Sequence, residues 1–439
     1  MTTTRFRWVT IGLVVTLIVI NYIDRSAVSF AVGPLQDEFG ITDTQYGAIS
    51  SAFAIGYMVF TFLAGFLVDR FGPRRVLLTA IIIFSLATAL IPLAGGFAGL
   101  LLVRIILGAG EAPAFPGATR VVSRWLPQKE QGIALALIGG VAVSGSLLIA
   151  SPLLTQLIGV TGWRGMFWVM AGVGVVWAVL ALWLLRNTPD ESPYTSEAER
   201  AYISRGHSAD DETPADKANV SWRELFTNRN LWLVAIGFFS WGFMFWGFMY
   251  WLPEYLQRAH GLSLESVGAF SIAPWAAGVV GALVGGVLVD RIYARTGNAR
   301  SRLTIIGCAL LLAGASLIPV LLSPSLTVSL IFISLGVGFG FITGGIWFVA
   351  SIDAAPNQPA SAAGFVDAAF ALAGIIAPSI MGFVVDRTGT FTSGFVLMSC
   401  LVVVSAVLLL FTSVDPRKGQ VAAAPSAQAD ENAASGEQR

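Results

Sequence analysis

The chain has 439 residues, of which 55% are hydrophobic and only 12% are charged. This charged share is about half of what soluble domains carry, which excludes an ordinary soluble enzyme. Because 26 basic residues balance 26 acidic ones, the sequence offers no concentrated basic face for a nucleic-acid partner. Apolar runs of about 20 residues recur along nearly the whole chain and predict membrane-spanning helices.

The hydrophobic pattern predicts an all-α membrane protein with twelve spanning helices. The first apolar run is too long for a signal peptide and contains Asp24 and Arg25, so we expect it to be retained as a spanning helix. The predicted spans are 8–32, 45–69, 75–95, 97–120, 130–157, 163–186, 229–252, 264–290, 302–322, 326–350, 358–384 and 392–414.

Basic residues are distributed unevenly over the predicted loops. When successive loops are assigned to alternate sides, only Arg164, Arg258 and Arg387 fall on the side opposite the N-terminus. Basic loops mark the cytoplasmic side of a membrane. We therefore expect a multi-pass protein of the inner (plasma) membrane with both termini in the cytoplasm.

The longest predicted loop divides the helices into six and six. This loop, 187–228, is polar and mixed in charge, which is typical of a cytoplasmic linker. The phrase Gly-Phe-Leu-Val-Asp-Arg at 65–70 ends helix 2, and Gly-Val-Leu-Val-Asp-Arg at 286–291 ends helix 8. We expect two parallel six-helix bundles, 1–186 and 229–414, followed by a disordered cytoplasmic tail over 415–439.

The repeated phrase has the residue types of a gate between helices at the cytoplasmic surface. Glycine lets neighbouring helices approach, while aspartate and arginine can form a charge cluster that holds two helices together. The alternative is that these charges only mark the cytoplasmic side. The candidate gating residues are Gly65, Asp69, Arg70, Arg74, Arg75, Asp290 and Arg291.

The same residues carry a resemblance to a known family. The pattern Gly65-x-Leu67-x-Asp69-Arg70-x-Gly72, followed by Arg74-Arg75, resembles the signature of the major facilitator superfamily. The resemblance covers essentially the whole chain before the tail. It implies the major facilitator fold, with two pseudo-symmetric six-helix bundles and alternating access to a site between them at the membrane midplane.

Four charged residues fall inside the predicted spans: Asp24, Arg25, Arg104 and Glu111. Asp24 and Arg104 lie at a similar depth, about 24 Å from the cytoplasmic ends of helices 1 and 4, so they can face each other. A charged side chain at such a depth costs at least about 2.5 to 3.5 kcal/mol, which favours a functional role. The alternative is a pair of structural salt bridges between helices 1 and 4.

The chemistry of these side chains separates their roles. Arginine stays protonated and presents a planar fork, so Arg25 and Arg104 suit a substrate carboxylate. Buried carboxylates can exchange protons, so Asp24 and Glu111 suit proton coupling, and both histidines lie in predicted loops. The second repeat lacks these charges and should supply apolar contact. That contact is expected from helix 7, with Trp241, Phe245, Trp246 and Tyr250.

Helix 4 also carries the elements of a hinge. Its small residues permit close packing, and Pro113 and Pro116 each remove a backbone hydrogen bond just after Glu111. We therefore expect helix 4 to bend beside a candidate protonation site.

Further motifs resemble the anion:cation symporter family of the superfamily. They are Asn21-Tyr22-Ile23-Asp24-Arg25, Arg104, Gly110-Glu111-Ala112-Pro113-x-Phe115-Pro116, Trp125-Leu126-Pro127, Trp251-Leu252-Pro253-x-Tyr255-Leu256 and Asp353-x-x-Pro356. Members of that family carry hexuronates, aldonates, aldarates or aromatic acids, and in animals sialic acid and glutamate, generally with protons in bacteria. The resemblance implies proton coupling through Asp24 and Glu111 and anion binding through Arg25 and Arg104. The other candidate substrate contacts are Tyr22, Tyr57, Trp246, Trp347 and Asp367.

Helix 11 departs from the sugar-acid members of that family. Those members tend to show two asparagines in a Gly-x-x-Asn-x-x-Gly-Asn-x-x-Gly run, where this chain has Asp367 and Ala371. The loss of two amides removes hydrogen-bonding groups that a polyhydroxy acid would use, which favours a less hydroxylated acid. Asp367 is a third titrating group, a ligand for a cation, or a structural carboxylate that faces water.

These features predict a secondary active transporter that takes up an organic acid anion, such as a sugar acid or another carboxylate, by proton symport. An anion exchanger without proton coupling and a carrier for aromatic carboxylates are the alternatives. We expect the protein to act as a monomer in the lipid bilayer, without a cofactor or metal. An enzyme is not expected, because the sequence has neither metal-ligand spacing nor a set of nucleophile and histidine.

Overall fold

The computed structural model describes residues 5–205, 222–296, 300–355 and 358–411. Within these ranges every regular element is helical. The predicted tail over 415–439 and part of the predicted linker lie outside them. Nine of the described helices are long and apolar enough to cross a membrane, or eleven if two bent pairs each count as one span.

One of those nine stretches contains two spans. Gln128–Leu184 has 57 residues, which as one straight helix would extend about 86 Å, far more than a membrane core of about 30 Å. Gly162 divides it, because its backbone angles are not helical (φ 72°, ψ 171°). The twelve spans are α1 (Phe6–Phe30), α2 (Asp43–Phe71), α3 (Pro73–Leu90), α4 (Phe97–Trp125), α5 (128–161), α6 (163–184), α7 (Arg229–His260), α8 (Ile272–Thr296), α9 (Arg300–Leu322), α10 (326–354), α11 (Pro359–Thr388) and α12 (Thr392–Phe411).

Local sequence signals set several helix ends. Helix α2 begins after Thr42 with a capping box, in which Gln45 Oε1 accepts from the Thr42 backbone N–H at 2.9 Å. It ends at Gly72, whose φ of 79° is accessible to glycine without strain. Helix α4 is interrupted between Glu111 and Ala114, where Pro113 cannot continue the hydrogen-bond ladder. The helix is therefore interrupted at the place beside Glu111 where the sequence predicts a bend.

The two halves repeat the same helix pairs. Helix α2 packs on α4 in the first half, and α8 packs on α10 in the second. Both contacts use glycine: Gly56 lies against the Ile105 backbone, and Gly285 lies against the Ile342 backbone. This repetition confirms two six-helix bundles. Gly65 differs from its predicted role, because no described neighbour lies within 4 Å of where its Cβ would be.

Polar contacts sort the helix ends onto two faces. On the face that we call the linker face, Arg7 at the start of α1 pairs with Glu130 and Glu199, each at 3.0 Å. On the opposite face, Arg164 at the start of α6 pairs with Glu38, which follows α1. The hydrogen bond from Arg164 holds the pKa of Glu38 below its usual value, so this pair stays charged at neutral pH.

The outer surface of the bundle is apolar. Large hydrophobic side chains on many helices point away from the core, and this pattern suits contact with lipid rather than water. They include Phe66, Leu86, Leu102, Val176, Leu283 and Val404. The chain is therefore a multi-pass membrane protein, as its hydropathy predicted.

Adjacent glycines on α8 allow a test of the helix packing. Gly285→Ala should lower the apparent melting temperature of the purified protein by at least about 3 °C, because the new Cβ would collide with the Ile342 backbone. Gly286→Ala is the control, since nothing lies within 4 Å of its Cβ and alanine favours the helix. Equal melting temperatures for the two variants would contradict the packing of α8 on α10.

Candidate functional site

The candidate site lies where the two halves of the protein meet. Helices α2 and α11, α1 and α7, and α5 and α8 form the contacts between the halves. The four charged residues predicted inside the spans are almost inaccessible to solvent, with exposed fractions of 0–2%. At such burial each charge requires a partner close by.

Arg25 and Glu111 form a buried ion pair. Arg25 Nε and Nη2 lie 3.2 and 2.9 Å from the same oxygen, Glu111 Oε2. The pair joins α1 to α4 beside the interruption of α4. Glu111 thereby occupies two of the N–H groups with which Arg25 could bind an acid.

Aromatic rings from three helices surround the Arg25 guanidinium. Its central carbon lies 4.6 to 5.5 Å from four ring centroids, a distance typical of cation–π contact. These rings belong to Tyr22, Phe53, Tyr57 and Trp246. Three of the candidate substrate contacts therefore lie beside one arginine.

Arg104 has a different environment. Its Nη2 donates to the hydroxyl of Tyr250 on α7 at 3.1 Å, and its guanidinium lies over the Phe53 ring at 4.9 Å. Its Nε lies 3.5 Å from the Ile49 carbonyl, at the limit of a hydrogen bond. Arg104 Nη1 is buried and has no hydrogen-bond partner among the described residues.

Asp24 and Arg104 form no ion pair in this structure, although Asp24 lies within electrostatic range of the Arg104 guanidinium. Asp24 Oδ2 accepts a hydrogen bond of 2.7 Å from Thr88 on α3. Neighbouring residues on a helix point about 100° apart, so Asp24 turns toward α3 when Arg25 turns toward Glu111. The ion pair that joins helices 1 and 4 is therefore Arg25–Glu111.

Asp367 approaches the cluster from the second half. It is half-buried on α11 and lies within electrostatic range of the Tyr22 and Tyr57 hydroxyls. No hydrogen bond to its carboxylate is formed within the described part of the chain. Because it remains partly exposed without a partner, this carboxylate can meet a ligand or water.

The two tryptophans predicted to contact substrate lie in different places. Trp246 stacks on Tyr250 with ring centroids 6.0 Å apart and lies beside Arg25, while its buried Nε1 has no partner among the described residues. Trp347 lies in the core of the second half, where its Nε1 donates to Thr343 at 2.9 Å and its ring stacks on Phe238. The structure therefore brings Trp246 to the arginines, and it does not bring Trp347 there.

Sequence reasoning missed two polar partners. It assigned Tyr250 to apolar contact only, and it did not single out Thr88. Signals were present in the sequence, because Tyr250 follows Trp246 by one helical turn and Thr88 is a hydroxyl inside an apolar span. The direction of each hydroxyl depends on neighbouring helices, and the sequence does not show it.

The candidate gating residues lie on the linker face. Asp69 is bound by Arg120 of α4 at 3.6 Å and not by the arginines that follow it. Arg70 contacts the Phe66 and Phe71 rings, and Arg74 donates to the Leu182 carbonyl. Exposed arginines complete this surface. They are Arg75 and Arg291, while the side chain of Asp290 lies outside the described part.

On the opposite face the two halves are fastened together. Arg258 at the end of α7 donates two hydrogen bonds, of 2.9 and 2.6 Å, to Asp43 at the start of α2. Asp386 of α11 accepts from the backbone N–H groups of Asp43 and Thr44 at 3.1 and 2.7 Å. The N-terminus of α2 is therefore capped by a carboxylate of the other half.

Comparisons with known proteins agree with this architecture. The model of the Major Facilitator Superfamily matches residues 14–378. The chain is 34% identical over 427 residues to the probable sulfoacetate transporter SauU of Cupriavidus necator, with 94% of this chain and 97% of that protein covered. It is 31% identical over 404 residues to the hexuronate transporter of Bacillus subtilis, covering 89% and 91% of the two chains.

Solved structures share the fold at low sequence identity. A bacterial homolog of the human lysosomal transporter Spinster matches with a TM-score of 0.72 and 19% identity, covering 93% of this chain and 96% of that chain. A D-xylose-proton symporter matches with a TM-score of 0.71 and 18% identity, covering 93% and 98%. At such identities the likeness concerns the fold alone.

The buried ion pair makes a prediction about stability. Glu111→Leu leaves the Arg25 charge without a counter-ion, so it should lower the free energy of unfolding by about 3 to 5 kcal/mol. Arg25→Met/Glu111→Leu removes both charges and should recover most of that loss. Thermal unfolding of the purified single and double variants checks this. A double variant as unstable as the sum of its singles would contradict direct pairing.

The cap that Asp386 supplies to α2 leads to a prediction about solvent access from the opposite face. Asp386→Asn replaces a carboxylate that accepts two backbone N–H groups, so the opposite face should open more often. Ser51 reports on this opening, because it is buried on α2 with its hydroxyl 2.8 Å from that of Ser379 on α11. In a chain with both native cysteines replaced by serine, Ser51→Cys should react about fivefold faster with a membrane-impermeant thiol reagent added at that face. Asp353→Asn, which loosens a pair with Arg302 on the linker face, is the matched control. Equal reaction rates for the two variants would show that Asp386 does not hold the two halves together at the opposite face.

Proposed function

The chain belongs to the major facilitator superfamily, and from that premise we propose that it takes up an organic acid anion by symport with protons. A protein of this family moves solute through a site between its two halves, and this site opens to one side of the membrane and then to the other. The observation that carries the proposal is the buried Arg25–Glu111 pair at that interface.

The geometry of this pair links proton binding to anion binding. Glu111 Oε2 accepts from both Arg25 Nε and Arg25 Nη2, which are the groups a substrate carboxylate or sulfonate would use. A proton on Glu111 removes its charge and weakens its hold on Arg25. The guanidinium then becomes free for the acid group. Protonation of Glu111 thus favours anion binding, and anion binding favours protonation.

The charges of the cluster also require a co-transported cation. Asp24 and Glu111 balance Arg25 and Arg104, so the four residues together carry no net charge when all are ionised. An anion added to this low-dielectric site would leave an unbalanced negative charge, which is costly. One proton on Asp24 or Glu111 for each negative charge of the substrate restores neutrality within this set of four. Asp367 beside it adds a further negative charge when ionised, which strengthens the demand for protons.

The surroundings of the arginines define the class of substrate. Tyr22, Tyr57 and Trp246 form an aromatic wall around Arg25, and α11 contributes Asp367 where sugar-acid members of the family tend to have an amide. We propose a small carboxylate or sulfonate with few hydroxyl groups. The names of the relatives include sulfoacetate and hexuronate, which represent the two extremes of hydroxylation to be tested.

The orientation follows from the charge distribution. The linker face carries most of the basic loops, so we propose that it is cytoplasmic and that the fastened opposite face is external. The bundles 1–186 and 229–414 would then move as units of a monomer in the inner membrane. In this orientation the conformation described here is closed toward the outside.

Uptake by reconstituted vesicles tests the proposal. With an alkaline interior and no internal counter-substrate, the protein should accumulate a labelled anion, with sulfoacetate, galacturonate and phthalate as the candidates. Asp24→Asn and Glu111→Gln should each abolish accumulation driven by the pH gradient. Glu111→Gln should still exchange labelled for unlabelled anion, because its neutral amide mimics the protonated acid.

The control and the competing function use the same vesicles. Glu38→Gln alters a carboxylate outside the spans whose pKa Arg164 holds low, so it should leave uptake unchanged. Accumulation that persists in both Asp24→Asn and Glu111→Gln would refute proton coupling through these residues. Uptake that occurs only with internal counter-substrate would favour an anion exchanger instead.

A further inference from the structure

Tyr250 connects the arginine of one half to a helix of the other. Its hydroxyl on α7 accepts from Arg104 Nη2 of α4 at 3.1 Å, and no other described side chain forms a hydrogen bond with Arg104. Both residues are fully buried. The strongest polar contact of Arg104 therefore runs across the interface that must open during transport.

The phenol is held in place from two further directions. The Tyr46 hydroxyl of α2 donates to the Tyr250 backbone carbonyl at 2.9 Å. The Tyr250 ring stacks on Trp246 with an interplanar angle of 15°. Tyr250 is thus fixed between the two arginines, since Trp246 in turn lies over Arg25.

A neutral phenol is a weak partner for a buried guanidinium. A carboxylate or sulfonate binds arginine through a charge-assisted and often two-point contact, which is stronger than one bond to a hydroxyl. Because Arg104 Nη1 has no described partner and Nη2 holds only Tyr250, an acid group that approaches both nitrogens competes with the Tyr250 hydroxyl.

We propose that Tyr250 is a positioning residue that occupies Arg104 in the substrate-free protein and is displaced by the acid group of the substrate. The inference rests on the proposed function, in which Arg104 binds that acid group. Tyr250 is not among the proposed substrate contacts, and here it competes with the substrate for Arg104.

Displacement of Tyr250 has a structural consequence. The Arg104–Tyr250 bond joins α4 to α7, and α7 continues to Arg258, which fastens the opposite face through Asp43. When the acid group binds Arg104, the two halves lose the Arg104–Tyr250 hydrogen bond, which is a contact of the same helix that carries Arg258. The Arg104–Tyr250 bond is thus one of several contacts that hold the opposite face closed, and its loss on anion binding makes that face easier to open.

A pair of tyrosine variants tests the proposal. Tyr250→Phe keeps the ring that stacks on Trp246 but removes the competing hydroxyl, so the dissociation constant of the anion should fall about three- to tenfold. Tyr255→Phe removes another buried hydroxyl from α7, one that pairs with Ser329 Oγ at 2.8 Å and not with Arg104, so the constant should stay unchanged. The probe is whichever of sulfoacetate, galacturonate and phthalate most stabilises the unmodified protein.

Access to the opposite face gives a second readout. The Ser51→Cys reporter should be alkylated faster when the anion is added to the otherwise unmodified chain. With Tyr250→Phe it should react fast even without anion, and the anion should add little. Tyr250→Met also lacks the hydroxyl and is measured alongside. It must bind the anion more tightly by a similar factor, and it replaces Tyr250→Phe if that variant folds poorly.

The results distinguish a failure of the proposed anion binding at Arg104 from a failure of the competitor role of Tyr250. If the unmodified protein binds none of the anions, or if Arg104→Ala leaves binding intact, the proposed function fails at Arg104. If Arg104→Ala abolishes binding while Tyr250→Phe binds the anion equally or more weakly, the competitor role of Tyr250 alone is overturned.

Discussion

The arrangement of the site depends on one constraint, which is that a charge buried in a membrane protein must be neutralised nearby. Arg25 meets this constraint with Glu111 and with the π-faces of four rings. The ion pair fixes the rotation of α1 against α4, and this rotation directs Asp24 toward Thr88. The pair uses only one oxygen of Glu111, since its Oε1 has no hydrogen-bond partner among the described residues.

The two halves contribute different chemistry to this interface. The first half supplies the four buried charges and three of the rings around Arg25, and the second supplies Trp246, Tyr250 and Asp367. The same three helices carry both the site and the contacts that close the opposite face. Helix α2 carries Tyr57 and Asp43, and α7 carries Trp246 and Arg258. Helix α11 carries Asp367 and Asp386. A change of contacts at the site can therefore reach the opposite face through rigid helices, without a separate transmitting element.

Close helix packing gives these contacts their rigidity. Glycines on α2 and α8 bring partner backbones together within each half, so each bundle can move as a unit. Between the halves the contacts are of another kind, with a partly buried ion pair, hydroxyl bonds and a helix cap that one half supplies to the other. Such contacts are individually modest and reversible, which suits an interface that opens and closes.

The sequence by itself determined the spans, their division into six and six, and the presence of four charges where lipid excludes them. These follow from hydropathy and from helical rise, which are local properties of the chain. It also predicted a bend in α4 beside Glu111, where the helix is interrupted, because proline acts on its own helix. Only the tertiary structure decided that Arg25 pairs with Glu111, that Tyr250 binds Arg104, and that Gly56 and Gly285 rather than Gly65 serve close packing. Those contacts depend on how each helix is rotated about its axis and on which distant helix it meets, and spacing along the chain specifies neither.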